Sequence, residues 1–146
     1  MCSSDLEAVL AIEPFDETVI VAENDSMMRG ILRTVLEQPG RTVVLCADGL
    51  EAVEVASQTL ATLVLLDLRM PRMGGIEACQ LIRELPRYAQ VPIVILTVFG
   101  GSSWRHRAAR AGATAFLGKP FSRTDLLQAL NPLVEAHRRI LALEQY

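Results

Sequence analysis

The sequence lacks the residue patterns on which several common kinds of chemistry depend. Its three cysteines, Cys2, Cys46 and Cys79, are odd in number, far apart and without a C-x-x-C pair, which argues against disulfides and thiolate metal sites. Cys46 and Cys79 lie within apolar patterns, so we expect them to be buried as small hydrophobic side chains. We expect the two histidines to be surface or packing residues.

Long apolar runs and an excess of positive charge are missing as well. Although 51% of the residues are hydrophobic, no run approaches the roughly 18–20 apolar residues that cross a bilayer. The first six residues show neither the basic start nor the apolar stretch of a signal peptide. The net charge of −3 gives no support for a nucleic-acid-binding surface. We therefore expect a cytoplasmic protein that neither enters a membrane nor binds DNA directly.

What the sequence does contain is a regular alternation of apolar, strand-like runs and amphipathic helical segments. The predicted strands are residues 18–22, 42–46, 63–66, 91–96 and 115–117. A helical pattern follows each strand; we expect Ser26 to cap the first helix, and Ser122 with Asp125 to form a capping box at the last. Five βα units in 146 residues predict an α/β domain with a doubly wound, mainly parallel five-stranded sheet.

Two segments lie outside this alternation. Residues 1–17 are predicted to be an N-terminal leader, residues 18–131 the folded domain, and residues 132–146 a C-terminal helical extension. Asn131 and Pro132 leave two possibilities open: Asn131 caps a new helix that begins with Pro132, or Pro132 lies inside one long helix and kinks it. The extension carries an amphipathic stripe, which suits a cover for the domain or a short dimerising or connecting helix.

Polar side chains stand where the predicted strands end. The first strand is followed by residues 23–25, Glu-Asn-Asp, while Asp67, Thr97 and Lys119 stand at or just beyond the ends of the third, fourth and fifth strands. Because parallel strands bring these ends to one edge of the sheet, we expect the side chains to lie close together. Oxygen ligands suit Mg²⁺, an ammonium suits a phosphoryl oxygen, and aspartates form aspartyl phosphates. The set therefore predicts phosphoryl-transfer chemistry, with Asp67 as the reactive group.

Four stretches, taken in order, resemble the receiver domain of two-component response regulators. They are VAEND at 21–25, LDLRMPRMGG at 66–75, ILT at 95–97 and FLGKPF at 116–121. Intervals of 44, 30 and 22 residues separate Glu23, Asp67, Thr97 and Lys119 in turn, as in that family. The resemblance covers about residues 18–137 and implies a flavodoxin-like (βα)₅ receiver fold with an extended C-terminal helix.

The resemblance also implies roles for particular residues at this edge. Asp67 would accept a phosphoryl group from the phosphohistidine of a sensor histidine kinase or phosphotransfer protein. Mg²⁺ would be held by the side chains of Asn24 and Asp67, by the backbone carbonyl of Arg69, and by Glu23 directly or through water.

A second group of residues would read out the phosphorylated state. By the same resemblance, Lys119 would bridge Asp67 and then the phosphoryl group, Thr97 would turn inward to bind a phosphoryl oxygen, and Phe116 would swing inward with it. The change would appear on the face formed by the fourth helix, fifth strand and fifth helix. That face would meet a partner protein, an output domain or a second copy. The chain would catalyse only its own phosphorylation and dephosphorylation, as a stand-alone receiver or as part of a longer regulator.

The sequence departs from the family pattern at Asn24, where a second acid is usual. An amide oxygen can bind Mg²⁺ but brings no charge, so we expect weaker metal binding. The main alternative is a pseudo-receiver that binds partners without phosphorylation. A haloacid dehalogenase-like phosphohydrolase would need a second acid where Arg69 stands. Arg69 and Phe99 would flank the phosphoryl group, and we expect them to slow its hydrolysis by excluding water.

Overall fold

The computed structural model describes residues 17–98 and 103–144. Within these ranges five strands alternate with five helices, which confirms the predicted α/β fold. The elements are β1 (Glu17–Ala22), α1 (Ser26–Leu36), β2 (Arg41–Cys46), α2 (Gly49–Gln58), β3 (Leu63–Asp67), α3 (Gly75–Arg83), β4 (Ile93–Thr97), α4 (Ser103–Arg110), β5 (Ala115–Gly118) and α5 (Arg123–Glu144).

All five strands form one parallel sheet in the order β2-β1-β3-β4-β5. The chain first steps from β1 outward to β2, and then returns to place β3 on the other side of β1. Ala22 pairs with Leu66, so the carboxyl ends of β1 and β3 lie side by side. In doubly wound sheets the crevice at such a reversal of strand order is where ligands bind.

The strands are apolar throughout because helices cover both faces of the sheet. Along β1, Val19 and Val21 face α1 and α5, whereas Ile20 and Ala22 face α2, α3 and α4. The same alternation continues in β3 and β4, and each of the two faces carries a buried hydrophobic cluster. Cys46 and Cys79 are buried free thiols, as predicted. Burial on both faces holds the strand ends, and the polar groups on them, at fixed positions.

The start of α1 differs from the prediction. Asp25, rather than Ser26, is the N-cap, since its Oδ1 accepts a hydrogen bond from the backbone N–H of Met27 at 3.0 Å. Aspartate caps a helix as well as serine does, so two adjacent capping residues left the helix start ambiguous by one position. The predicted capping box of α5 is confirmed, with reciprocal bonds between Ser122 and Asp125 at 3.1 and 3.0 Å.

The last helix is continuous, with Pro132 inside it. Of the two possibilities left by the sequence, one long helix is the observed one, and the predicted boundary between residues 131 and 132 falls within α5. Pro132 cannot donate to the carbonyl of Gln128, but Gln128 is exposed and water can take that place. Val134 and His137 are buried, so the second half of α5 covers the domain. Over the part of the chain described here, no helix is both long and apolar enough to cross a membrane.

Candidate functional site

Three of the predicted residues meet at the crevice between β1 and β3. Lys119, the only lysine of the chain, forms an ion pair with Glu23, and its Nζ lies 3.5 Å from Oδ2 of Asp67. The Glu23 side chain is buried, and those of Lys119 and Asp67 are 14% and 15% exposed. The structure thus joins residues that are 44 and 96 positions from Glu23 in the sequence.

The backbone around the crevice fixes these side chains. Lys119 N donates to the carbonyl of Thr97 (2.7 Å), and Leu68 N, directly after Asp67, donates to the carbonyl of Leu96 (2.8 Å). Gly75 at the start of α3 packs directly on the carbonyl of Asp67, where a Cβ would overlap that oxygen. The carboxylate therefore stands on a strand end that is held from both sides.

The two carboxyl groups of the site have pKa values shifted in opposite directions. Burial raises the pKa of Asp67, the hydrogen bond and the charge of Glu23 raise it further, and Lys119 opposes both, leaving it at about 7. Burial acts on Glu23 in the same sense, but its hydrogen bonds to Asp67 and Lys119 bring its pKa below the usual value. The close ion pair explains the difference between the two groups. Lys119 stabilises the charged form of Glu23, and the negative charge of Glu23 disfavours ionisation of Asp67.

The donor set at the crevice suits Mg²⁺ better than a transition metal. In residues 17–98 and 103–144, no group of three His, Cys, Asp or Glu side chains converges on one point. The crevice instead offers the two carboxylates of Glu23 and Asp67, with amide, carbonyl and water oxygens to complete a shell. Mg²⁺ keeps several waters and binds through one or two acids. Burial and the neighbouring Glu23 raise the pKa of Asp67, and a cation bound beside it would favour the ionised form.

Asn24 and Arg69 lie two residues beyond the ends of β1 and β3. Both residues are exposed, and Asn24 lies next to Glu23 at the mouth of the crevice. The backbone carbonyls of Glu23 and Asn24 accept hydrogen bonds from Nη1 of Arg29, at 2.6 and 3.1 Å. No pattern in the sequence indicates this role for Arg29, which lies one turn into α1 and fixes the segment that follows β1.

The two predicted switch residues occupy different settings. Thr97 is buried at the end of β4, while Phe116 is half-buried on β5 and packs edge-to-face on Trp104, with ring centroids 5.3 Å apart. The guanidinium of Arg105 lies over both rings, at 5.4 and 5.8 Å from their centroids. Trp104 and Arg105 were not predicted as part of the site, because nothing local in the sequence pairs α4 with β5. Phe99 lies outside the described residues.

The fold agrees with what comparisons with known proteins show. The family model of the response regulator receiver domain matches residues 19–131. The chain belongs to this family, and it is the receiver domain of a two-component response regulator.

The relatives include receivers from regulators and from kinases. The chain is 40% identical over 127 residues to the transcriptional regulatory protein PdtaR of Mycobacterium tuberculosis, covering 86% of this chain and 60% of that protein. It is 33% identical over 109 residues to the histidine-protein kinase BarA of Escherichia coli, covering 75% of this chain and 12% of that protein. It thus spans less than two thirds of the length of either relative.

Solved structures of similar proteins have the same fold. The receiver domain of a Pseudomonas aeruginosa sensor histidine kinase, with a magnesium ion in its active site cleft, is 28% identical with a TM-score of 0.74, covering 82% of this chain and 98% of that one. Chemotaxis protein CheY4 of Vibrio cholerae is 28% identical with a TM-score of 0.76, covering 80% of this chain and 98% of that one.

Proposed function

We propose that Asp67 accepts a phosphoryl group from the phosphohistidine of a sensor histidine kinase or phosphotransfer protein. The observation that carries this proposal is the convergence of Asp67, Glu23 and Lys119 in the crevice between β1 and β3. In this arrangement a carboxylate nucleophile stands beside a largely buried ammonium and a second acid. Receiver domains interact with histidine kinases and output domains.

The chemistry requires little covalent work from the protein. An oxygen of the Asp67 carboxylate bonds to phosphorus while the bond from phosphorus to the donor nitrogen breaks, and the electron pair leaves with the imidazole. Lys119 neutralises charge on the phosphoryl oxygens, and the hydroxyl of Thr97 donates to one of them. Bound Mg²⁺ would be held by Glu23, Asn24, Asp67 and the carbonyl of Arg69, and would supply further positive charge for those oxygens. The chain catalyses its own phosphorylation and dephosphorylation and acts on no other substrate.

Phosphorylation changes the charge at the site, and this change alters a surface of the domain. A phosphoryl group adds about −1.5 to −2 charge and draws Lys119 away from its ion pair with Glu23. Thr97 and Phe116 turn inward, and the face formed by α4, β5 and α5 changes shape. This face controls an output domain or a partner protein, or forms a homodimer. Cytoplasmic location and the absence of direct DNA binding remain predictions.

Labelling with acetyl phosphate tests the proposed function without a kinase. With magnesium present, intact-mass spectrometry should show the wild-type chain gaining one phosphoryl group, and Asp67→Asn gaining none because the nucleophile is lost. Asp25→Asn keeps the cap of α1 and should be labelled like the wild type. An unlabelled wild type would favour the pseudo-receiver, and labelling of Asp67→Asn would place the acceptor elsewhere.

Restoring the missing acid should strengthen metal binding. Asn24→Asp adds a charge at the mouth of the crevice, and because ligand charge tunes cation affinity over decades, we expect magnesium to bind on the order of tenfold more tightly. Calorimetric titration of the metal-free protein measures this. Asp25→Asn changes the neighbouring charge and should leave the affinity nearly unchanged. Equal affinity in wild type and Asn24→Asp would exclude residue 24 from the metal site.

A further inference from the structure

A short loop, residues 68–74, leads from Asp67 to α3, and we call it the acceptor loop. Its two ends are fixed by backbone hydrogen bonds, since Leu68 N donates to Leu96 O (2.8 Å) and Gly75 N donates to Leu68 O (3.0 Å). The first bond holds the start of the loop against β4, and the second joins the two ends of the loop. The outer part of the loop, which follows Arg69, is held by a different element.

That element is the junction between β2 and α2. Gly49 N donates to the carbonyl of Met73 at 3.0 Å. A Cβ on Gly49 would lie 2.5 Å from the carbonyl oxygen of Met73 and 3.1 Å from that of Gly74. The acceptor loop and the junction are therefore in direct backbone contact, and this close approach leaves room only for glycine at position 49.

An ion pair between side chains also connects the acceptor loop to this junction. Nε of Arg72 donates to Oδ2 of Asp48 at 2.7 Å, and Nη2 of Arg72 lies 3.9 Å from Oε2 of Glu51. The other oxygen of Asp48 accepts from Glu51 N at 2.9 Å and so caps α2. The Asp48 side chain is 6% exposed, whereas that of Arg72 is 57% exposed. The guanidinium also lowers the pKa of Asp48, so the buried partner stays charged at neutral pH.

Arg72 holds this position in an unfavourable backbone conformation. Its φ is +64°, in the left-handed region where a residue with a Cβ clashes with the backbone. Glycine would adopt this conformation without that clash. An arginine here therefore needs a compensating interaction, and the contact with Asp48 supplies one.

We propose that the Asp48–Arg72 ion pair is a positioning device for the phosphoacceptor site, which sets the acceptor loop and with it the backbone carbonyl of Arg69. The inference rests on the proposed function, in which that carbonyl is a magnesium ligand. Neither Asp48 nor Arg72 touches the metal or the phosphoryl group. Both act through the loop, so their loss should weaken magnesium binding while the chemistry of Asp67 is retained.

The sign of the effect separates positioning from simple electrostatics. If only net charge mattered, loss of the Arg72 cation would tighten magnesium binding and loss of the Asp48 anion would weaken it. If the pair positions the loop, both losses weaken binding. In the double variant the charge effects would cancel, whereas a positioning pair already broken by one substitution would lose little more from the second.

The variants are chosen so that folding is retained. Arg72→Gly removes the side chain and also relieves the left-handed backbone, and Asp48→Asn keeps a capping side chain on α2. Arg33→Ala is the matched control, because Arg33 forms an exposed ion pair with Glu37 at 3.7 Å on α1. Thermal unfolding of each variant checks that the fold is intact.

Calorimetry with magnesium alone and the rate of labelling by acetyl phosphate are the two measurements. We expect Arg72→Gly, Asp48→Asn and their double variant each to raise the magnesium Kd about tenfold, a loss of about 1.4 kcal/mol. At saturating magnesium, the labelling rate should stay within about twofold of the wild type, since Asp67, Thr97 and Lys119 are untouched. Arg33→Ala should match the wild type in both.

Two different results would overturn the inference. Unchanged affinity, or opposite shifts for Arg72→Gly and Asp48→Asn, would reject positioning while leaving the proposed function intact. A wild-type chain that binds no magnesium and is not labelled would reject the proposed function itself.

Discussion

Substitution of Glu17 by alanine is expected to lower the free energy of unfolding by about 3–5 kcal/mol, because it strands buried positive charge. Glu17 is buried at the start of β1, where Oε2 accepts from Nε of Arg41 at 3.2 Å and Oε1 accepts from Nε of Arg138 at 2.6 Å. The Arg41 side chain is only 7% exposed. Without Glu17 it would keep its charge in a site with little access to water. Urea denaturation followed by the fluorescence of Trp104 measures the change.

Two comparisons show whether stranded charge is the cause. Glu135→Ala removes an exposed acid that also pairs with Arg138, at 3.2 Å, and should cost less than about 0.5 kcal/mol. The double variant Glu17→Leu/Arg41→Met removes both buried charges and should recover much of the loss. Equal losses for Glu17→Ala and Glu135→Ala would contradict the burial argument, as would a double variant no more stable than Glu17→Ala.

The same ion pairs fix the second half of α5, and they show where prediction from the sequence stops. Glu17 lies 24 residues from Arg41 and 121 residues from Arg138. The helical pattern after Pro132 predicts an amphipathic helix but not the surface that it covers, since that depends on partners distant in sequence. Glu17 itself was predicted to lie in the leader, one residue before the first strand, whereas it is the first residue of β1. The Asp48–Arg72 pair was not predicted either, because its two residues lie 24 positions apart in the sequence.

The strand ends were predictable because their signal is local. A buried parallel strand is an apolar run in the sequence, so the polar residue that ends it, such as Asp67 or Thr97, is easy to identify. The parallel arrangement then brings these residues to one edge whatever their separation in the sequence. What the pattern could not supply is the pairing within the site. The structure pairs Lys119 most closely with Glu23, and the pKa of Asp67 is raised by burial and by Glu23.

Magnesium affinity is therefore expected to fall by about 100-fold between pH 8 and pH 5, because a proton competes with the metal for Asp67. With a pKa of about 7 in the metal-free protein, Asp67 is ionised above that pH and mostly protonated below it. Each pH unit below the pKa costs close to tenfold in the binding-competent form. The effect of Asp67 on the pH dependence of folding stability is opposite to that of a carboxyl group whose pKa is lowered on folding. A raised pKa stabilises the metal-free fold at low pH, and this contribution is lost as the pH rises through about 7.

Glu23→Gln tests the cause of the pH dependence. It removes the negative charge that raises the pKa of Asp67, so the midpoint should move to lower pH even if the plateau affinity also changes. Calorimetry across the pH range and the carboxyl carbon shift of Asp67 in the metal-free protein report the midpoint independently. Asp25→Asn, which removes a nearby exposed acid, should leave it in place. Affinity that is flat from pH 8 to pH 6, or a midpoint unchanged in Glu23→Gln, would show that Glu23 does not control the ionisation of the acceptor.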